Sequence, residues 1–393
     1  MRAEARAESF TIGAGYFWYY AGVGTFVPFN ALYYRHLGFS GLELGVLMAL
    51  PAIATAFLGP LWGILADTFG IHHRIMRSVL LAAAGIALLL TGITTFLPFL
   101  IVIAMLAVVL VPIPSLWDTY AVSAVERGGS PYGVLRIFGS IGFTVMVLIM
   151  GRIMADDLST IFLYAYAACL LVTFTVAWRL PPLGERQPRR LLDGLQAVTR
   201  SRPYLLLLLV AYLISVGYTT LNNFLTLHIE SIGGDTSVAG LAFATSAMSE
   251  LPVIGFGAII LKRLGARNVI YTALGFYILR FTLLGFATGT SMVLLAQVMH
   301  GLSFGMFLIA SVTLAHRLVG RENAATAQAL LAMVGVGMGS ITGSMLGGLA
   351  IDHASTTMMF RIVMITMALT LGIFFIGNRK IGQTAYDPPP VHP

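Results

Sequence analysis

Long apolar runs alternate with short polar segments along almost the whole chain, and this alternation predicts membrane-spanning helices. A helix needs about 20 apolar residues to cross a bilayer. The runs lie at 10–34, 41–65, 76–94, 96–120, 132–154, 158–179, 204–228, 238–261, 267–287, 291–316, 324–350 and 358–377. The pattern therefore predicts an all-α integral membrane protein with twelve transmembrane helices.

The longest polar stretch, 181–203, is rich in Pro and Arg and divides the chain nearly in half. We interpret it as a cytoplasmic linker between two six-helix bundles, at 1–180 and 204–378. The tail 379–393 ends in DPPPVHP. A polar, Pro-rich tail of this kind is expected to be disordered.

The composition supports a membrane protein and narrows its function. Of the 393 residues, 58% are apolar and 10% are charged, against about 25% charged in soluble domains. The net charge of +7 does not indicate nucleic-acid binding, because the arginines lie in short connecting loops rather than on one basic face. The single cysteine, Cys169, lies in an apolar run, so no internal disulfide is expected. The short polar N-terminus does not resemble a cleaved signal peptide, so we expect the first helix to remain.

The distribution of basic residues predicts the orientation. With both termini in the cytoplasm, 18 of the 23 Lys and Arg residues lie on the cytoplasmic side. Only Arg35, Arg152 and Arg361 lie outside, and Arg136 and Arg280 lie within the membrane. Cytoplasmic loops of membrane proteins carry an excess of basic residues, so we expect both termini inside, in a bacterial inner (plasma) membrane.

Among the charged residues and histidines of the predicted spans, we place five in the membrane interior: Asp118, Arg136, Glu250, Arg280 and His300. An intramembrane charge costs roughly 2.5–3.5 kcal/mol on insertion scales, and such residues usually mark functional sites. Two negative and two positive charges are expected to compensate one another in a shared cavity. The alternative, permanent salt bridges that hold helices together, is weaker because buried ion pairs stabilise little after desolvation. His300 alone is also compatible with a helix-packing hydrogen bond.

The segment between the second and third spans reads GILADTFG, followed by His72, His73 and Arg74. It resembles the cytoplasmic signature loop of the major facilitator superfamily, although Thr68 and the two histidines replace usual basic residues. An ordinary turn with a capping aspartate is the alternative. The resemblance implies a role in conformational gating for four residues: Gly63, Asp67, Gly70 and Arg74.

Further motifs resemble the phenylpropionate-permease and lactose-permease group of proton symporters. They are Gly24 to Phe29, Tyr132 to Gly139 with Arg136, and Ser249 to Val253 with Glu250. The resemblance implies alternating access between two bundles, with the intramembrane charges near mid-membrane at the interface of the halves. It assigns Asp118 and Arg136 to substrate binding, and Glu250, Arg280 and His300 to proton coupling. It implies no metal and no cofactor beyond the proton as coupling ion.

Departures from that group leave the substrate open. Ser303 replaces a carboxylate that is tied to proton release, and Phe143 replaces a sugar-stacking tryptophan. A galactoside is therefore disfavoured. Arg136 and Arg280 could bind a carboxylate in bidentate fashion, which favours an aromatic acid. The Asp118–Arg136 pair could instead bind vicinal hydroxyls, which favours a sugar.

Other polar and aromatic side chains complete the predicted substrate site. Tyr19 belongs to an aromatic cluster in the first span that could stack on a ring, although an interfacial aromatic belt is an equal alternative. Asn222 and Asn223 lie in the seventh span. Amides in hydrocarbon need hydrogen-bond partners, so we expect at least one to face the cavity, with Phe143 as a further substrate contact.

These features predict a secondary active transporter that couples proton entry to uptake of a small organic solute. An uncoupled facilitator and a proton-antiport exporter are alternatives, but Gly139 to Gly151 lacks the proline expected of drug antiporters. A membrane enzyme or sensor is disfavoured because the chain carries no zinc-binding HExxH and no phosphate loop. We expect a monomer whose partners are its substrate and the lipid bilayer, with no nucleic acid.

Overall fold

The computed structural model describes residues 3–155, 160–181, 183, 195–320 and 323–381, and the described residues contain helices but no strands. The first helices are α1 (Ala3–His36), α2 (Gly41–Phe69), α3 (His72–Leu89), α4 (Phe96–Leu110), α5 (Pro112–Glu126), α6 (Tyr132–Ile153) and α7 (Ile161–Ala177). They are followed by α8 (Leu195–Arg200), α9 (Arg202–Ser231), α10 (Thr236–Gly255), α11 (Gly257–Leu264) and α12 (Ala266–Gly285). The last are α13 (Thr290–Val298), α14 (Met306–Val319), α15 (Ala324–Leu331), α16 (Ser340–His353) and α17 (Thr356–Ile381). Most of the predicted linker and the tail beyond residue 381 lie outside the described residues.

Each of the twelve predicted spans coincides with a helical segment. Ten helical segments among the described residues are long and apolar enough to cross a membrane. The segment Ile161–Ala177 is shorter, and α1 is not among the ten although it has 34 residues. The all-α membrane fold is therefore confirmed, while the count of twelve spans stays a prediction.

Several of the spans are interrupted within the described residues. The helix from Phe96 to Glu126 is divided at Val111, which precedes Pro112 at the start of α5. A proline lacks the amide hydrogen that would continue the helical ladder. The segments Gly301–Gly305 and Ala332–Gly339 are π-helical. Short π-helical segments inside α-helices occur frequently at functional sites.

The residues separate into two compact units, which are described individually. In unit 1, α1 packs against α6 and α7. Glycines allow the close approach of α1 and α6, because a Cβ at Gly142 would lie 2.1 Å from the carbonyl oxygen of Phe17. A Cβ at Gly24 would lie 2.6 Å from the carbonyl oxygen of Phe143. Small residues drive helix association in membranes by permitting such contacts.

Unit 1 includes Asp235–Ala244, at the start of α10, although the predicted bundle 204–378 contained this stretch. The hydroxyl of Thr236 donates to the carbonyl oxygen of Gly151 over 2.9 Å. A Cβ at Gly240 would lie 2.6 Å from the carbonyl oxygen of Val147. The two backbones approach because glycine occupies both positions 151 and 240.

In unit 2, α9 packs against α16, α17 and the segment Ala332–Gly339. A row of polar side chains joins α9 to α16. Thr219 and Ser340 are hydrogen-bonded at 2.9 Å, and the amide of Asn223 donates to Ser344 over 2.9 Å. Because no water is available in the bilayer core, such side chains find their partners on neighbouring helices.

Candidate functional site

The first cluster of polar groups lies in unit 1, around the carboxylate of Asp118 on α5. The hydroxyl of Tyr16 on α1 donates to Asp118 Oδ1 over 2.5 Å. The hydroxyl of Tyr132, at the start of α6, donates to the same oxygen over 3.0 Å. Three helices thus meet at one carboxylate oxygen. Within the part of the chain that the structure describes, Oδ2 accepts no hydrogen bond.

Arg136, on α6, lies beside this carboxylate cluster and is held by aromatic rings. Its guanidinium carbon is 4.3 Å from the ring centroid of Tyr20 and 5.6 Å from that of Tyr16. Such distances are typical of cation–π interactions, which strengthen when the groups are desolvated.

The predicted Asp118–Arg136 pair is therefore indirect. Among the described residues, no ion pair within 4.0 Å joins the two side chains, whereas Tyr16 touches both of them. The hydroxyls of Tyr16 and Tyr132 donate to Oδ1 of the carboxylate. The ring faces of Tyr16 and Tyr20 contact the guanidinium. The sequence motifs indicated the two charges but not the tyrosines that separate them. A spacing of four residues places Tyr16 and Tyr20 on one face of α1, and this signal could have identified them.

Tyr19 and Phe143 belong to the surroundings of this cluster. Tyr19 is buried, and its ring meets Tyr20 edge-on at a centroid distance of 5.2 Å. It therefore supports the ring on which Arg136 lies. Phe143 is two turns along α6 from Arg136, and its backbone packs against Gly24.

The second cluster lies in unit 2 and contains the three residues assigned to proton coupling. Oε2 of Glu250, on α10, lies 3.7 Å from Nε2 of His300. The other ring nitrogen of His300, Nδ1, lies 2.9 Å from Nη1 of Arg280 on α12. His300 therefore stands between the carboxylate and the guanidinium. Among the described residues, no ion pair within 4.0 Å joins Glu250 directly to Arg280.

Gln297 completes this cluster, although no sequence motif indicated it. The side chain is fully buried on α13, and its Oε1 accepts hydrogen bonds from Arg280 Nη2 and from the hydroxyl of Ser246, both over 2.5 Å. An amide three residues before His300 in an apolar run was the available signal, since buried amides need partners.

Aromatic rings fix the plane of the His300 imidazole. The ring of Tyr218, on α9, is stacked on it at a centroid distance of 5.9 Å, and that of Phe304 at 5.2 Å. Tyr218 and Phe304 also stack on each other at 4.5 Å.

Asn222 and Asn223 hydrogen-bond to groups of unit 2. Asn222 donates to the carbonyl oxygen of Tyr218 over 3.0 Å, and Asn223 donates to Ser344. The bond of Asn223 joins α9 to α16, which is a packing role. Both amides belong to unit 2, whereas Asp118 and Arg136 belong to unit 1.

The predicted gating loop adopts a defined turn. Asp67, near the end of α2, lies 2.9 Å from Nε2 of the buried His72 at the start of α3. Gly70 has φ of +60° and ends α2 in the left-handed conformation that favours glycine. A Cβ at Gly63 would meet no atom within 4 Å. Asp67 therefore pairs with His72, and Arg74 follows in the first turn of α3.

Comparison with known proteins decides the family. The model of the "MFS_1 like family" matches residues 10–362. The chain belongs to this family of the major facilitator superfamily. The resemblance to that superfamily is thereby confirmed, and with it the integral-membrane location.

Several curated relatives of this family member are named permeases. The maltose permease of Geobacillus stearothermophilus is 27% identical over 375 residues, which cover 94% of this chain and 95% of the relative. The nucleoside permease NupG of Escherichia coli is 25% identical over 346 residues, 80% of this chain and 81% of the relative. The protein is therefore a membrane transporter.

The fold agrees with a solved transporter structure. The crystal structure of nucleoside transporter NupG superimposes with a TM-score of 0.85 at 21% identity, and covers 94% of this chain and 98% of that one. At this level of identity the likeness shows the major facilitator fold and does not identify the substrate.

Proposed function

We propose that this family member is a proton-coupled symporter that imports a neutral glycosidic solute, such as an oligosaccharide or a nucleoside. The observation that carries the proposal is the position of His300 between Glu250 and Arg280. In the described part of unit 2, the carboxylate of Glu250 faces the imidazole of His300, and that imidazole contacts the guanidinium of Arg280. A row of intramembrane ionisable groups of this kind is suited to a proton relay.

The arrangement around Asp118 supports a neutral, hydroxyl-bearing substrate. Oδ1 of Asp118 accepts from Tyr16 and Tyr132, and we assign Oδ2 and the guanidinium of Arg136 to hydrogen bonds with substrate hydroxyls. The rings of Tyr16 and Tyr20 add apolar faces on which a sugar or base can pack. A carboxylate substrate bound to Arg136 would face the negative charge of Asp118, which opposes the aromatic-acid alternative.

The relatives support the same substrate class. One is named a maltose permease and the other a nucleoside permease, and both names denote glycosides without a carboxylate. We propose further that both termini lie in the cytoplasm of a bacterial inner membrane and that the protein acts as a monomer. The excess of basic residues on one side supports the orientation.

The test uses purified protein in liposomes with an imposed inward proton gradient and a dye that reports internal pH. Disaccharides, nucleosides and aromatic acids are added one at a time, with protein-free liposomes as the control for passive leakage of acids. Protein-dependent acidification is expected with a glycoside and not with an acid. Uptake of a labelled glycoside without acidification would establish a facilitator, and acidification by aromatic acids alone would overturn the assignment of substrate class.

A further inference from the structure

Gln297 occupies a position from which it controls the Arg280 guanidinium. Its Oε1 lies 2.5 Å from Nη2 of Arg280 and 2.5 Å from the hydroxyl of Ser246. Gln297 and Arg280 are both buried, with 0% and 1% of their surfaces exposed. Because a buried guanidinium must satisfy its donors locally, the amide oxygen of Gln297 determines where Arg280 points.

The orientation of Arg280 in turn determines which nitrogen of His300 carries the proton. A guanidinium can only donate, so Nδ1 of His300, 2.9 Å from Nη1 of Arg280, must accept with its lone pair. A neutral imidazole then carries its proton on Nε2, the nitrogen that lies 3.7 Å from Glu250. His300 in this arrangement presents a donor to the carboxylate and cannot take a second proton without losing its bond to Arg280.

The backbone fixes the distance between the helix that carries Gln297 and His300 and the helix that carries Glu250. The amide nitrogen of Gly301 donates to the hydroxyl of Ser249 over 3.0 Å. That hydroxyl donates to the carbonyl oxygen of Ser246 over 2.8 Å, and the carbonyl oxygen of Gln297 lies 3.4 Å from it. A Cβ at Gly301 would lie 2.0 Å from the carbonyl oxygen of Ser249. The side chain of Ser249 thus joins the two helices at the point where the π-helical segment begins.

We propose that Gln297 is a positioning residue for proton coupling, which keeps Arg280 on Nδ1 of His300 and away from Glu250. This inference rests on the proposed role of Glu250 as the proton carrier. Near Glu250, the described residues of unit 2 include these titratable and charged groups: Arg280 and Tyr277 from α12, Tyr218 from α9, and His300. Among them only Arg280 carries a permanent charge, so its position governs the electrostatic environment of the carboxylate.

Two substitutions of Gln297 should shift the pH dependence of uptake in opposite directions. In Gln297→Leu the guanidinium loses its acceptor and turns toward Glu250, the remaining carboxylate of the cluster. The ionised form of Glu250 is then favoured, and uptake requires a lower pH. Gln297→Glu places a carboxylate against Arg280 and neutralises its charge, so Glu250 takes up its proton at a higher pH.

The experiment measures initial uptake as a function of pH in proteoliposomes that contain the wild type, Gln297→Leu or Gln297→Glu. The pH of half-maximal uptake should fall by about one unit in the first variant and rise by about one unit in the second. Gln328 supplies the matched control, since it lies on α15 and its amide donates to the carbonyl oxygen of Val312 over 3.3 Å. Gln328→Leu and Gln328→Glu should retain the wild-type pH profile.

Nitrogen-15 NMR of histidine-labelled protein tests the same proposal without transport. The His300 signals are identified by their loss in His300→Gln. Wild-type protein should show an unprotonated Nδ1, and Gln297→Leu should lose this signature, while Gln328→Leu keeps it. A wild-type ring protonated at Nδ1, or an unchanged ring signal in Gln297→Leu, overturns the proposal. So does a common direction of the pH shift in both Gln297 variants. Uptake without pH dependence in the wild type refutes proton symport instead, and the NMR result still decides the role of Gln297.

Discussion

The hydroxyl of Tyr16 donates to Oδ1 of Asp118 over 2.5 Å, and the ring of the same tyrosine lies 5.6 Å from the guanidinium carbon of Arg136. One side chain thus contacts both charges of unit 1. Because the hydroxyl and the ring face act independently, the acid and the base are held in place without being joined to each other. Each charge keeps free hydrogen-bonding capacity for a ligand.

Arg136→Ala should weaken substrate binding by about 10- to 100-fold, because a hydrogen bond to a charged group contributes about 1.5–3 kcal/mol. The loss is measured by ligand-induced thermal shift or equilibrium dialysis with purified protein. Arg152→Ala is the matched control, since Arg152 lies exposed in the last turn of the same helix. Equal affinity of Arg136→Ala and wild type would exclude Arg136 from the binding site.

Glu250→Gln should retain exchange of labelled for unlabelled substrate but lose accumulation driven by a pH gradient. The amide keeps the size and a hydrogen bond of the carboxylate yet cannot release a proton. Asp118→Asn should lose both activities, because that carboxylate is assigned to the substrate. If Glu250→Gln accumulates substrate as the wild type does, the proton is carried by another group.

Gly142→Ala should destabilise the protein by about 1–3 kcal/mol, the usual cost of overpacking. The new Cβ would lie 2.1 Å from the carbonyl oxygen of Phe17, and a backbone atom cannot move aside cheaply. Gly133→Ala, near the start of the same helix, meets no atom within 4 Å and should be neutral or slightly stabilising. Thermal unfolding in detergent compares the two variants, and a similar melting temperature for both would contradict the packing of α1 on α6.

The loop before α10 should contribute stability that depends on pH. The hydroxyl of Ser237 donates to Oδ1 of Asp235 over 2.5 Å, and the backbone amide of Val238 donates to the same oxygen over 3.0 Å. These hydrogen bonds lower the pKa of Asp235. A lowered folded-state pKa means that the contribution is complete above the ordinary aspartate pKa of about 4 and is lost as pH falls through the folded value.

Asp235→Ala should therefore cost about 0.5–2 kcal/mol at pH 7, the usual contribution of a helix cap, and less near pH 3. Ser355 is the neutral counterpart, because its hydroxyl accepts from the amide of Met358 over 3.1 Å at the start of α17. The loss of unfolding free energy in Ser355→Ala should be the same at pH 7 and near pH 3. A loss in Asp235→Ala that is equal at both pH values would show that the carboxylate charge does not contribute.

The sequence predicted the helices well because hydropathy acts locally. A run of about 20 apolar residues must form a helix in a bilayer, whatever surrounds it, since its backbone polar groups have no other partners. The end of α2 has an equally local cause, because Gly70 adopts a positive φ that few other residues tolerate. These features need no knowledge of the tertiary structure.

The partners of the charged groups could not be predicted in the same way. The spacing from Asp118 to Arg136 indicated two adjacent helices, but the side chain between them is Tyr16, which is 102 positions away from Asp118 in sequence. Similarly, the inclusion of Asp235–Ala244 in unit 1 depends on Gly151 and Gly240 meeting across the fold. Such pairings are set by tertiary packing, which residue patterns along one chain do not contain.

Cys169 lies on α7 with 3% of its surface exposed, and its Cβ would be 3.3 Å from a Cβ placed at Gly22 of α1. A water-soluble maleimide therefore has no access to the native thiol while α1 and α7 remain packed. For site-directed labelling the protein behaves as a cysteine-free background without any substitution. A spin or fluorescent label can be attached to one introduced cysteine in each unit, and the separation of the two units can be followed during transport in otherwise native protein.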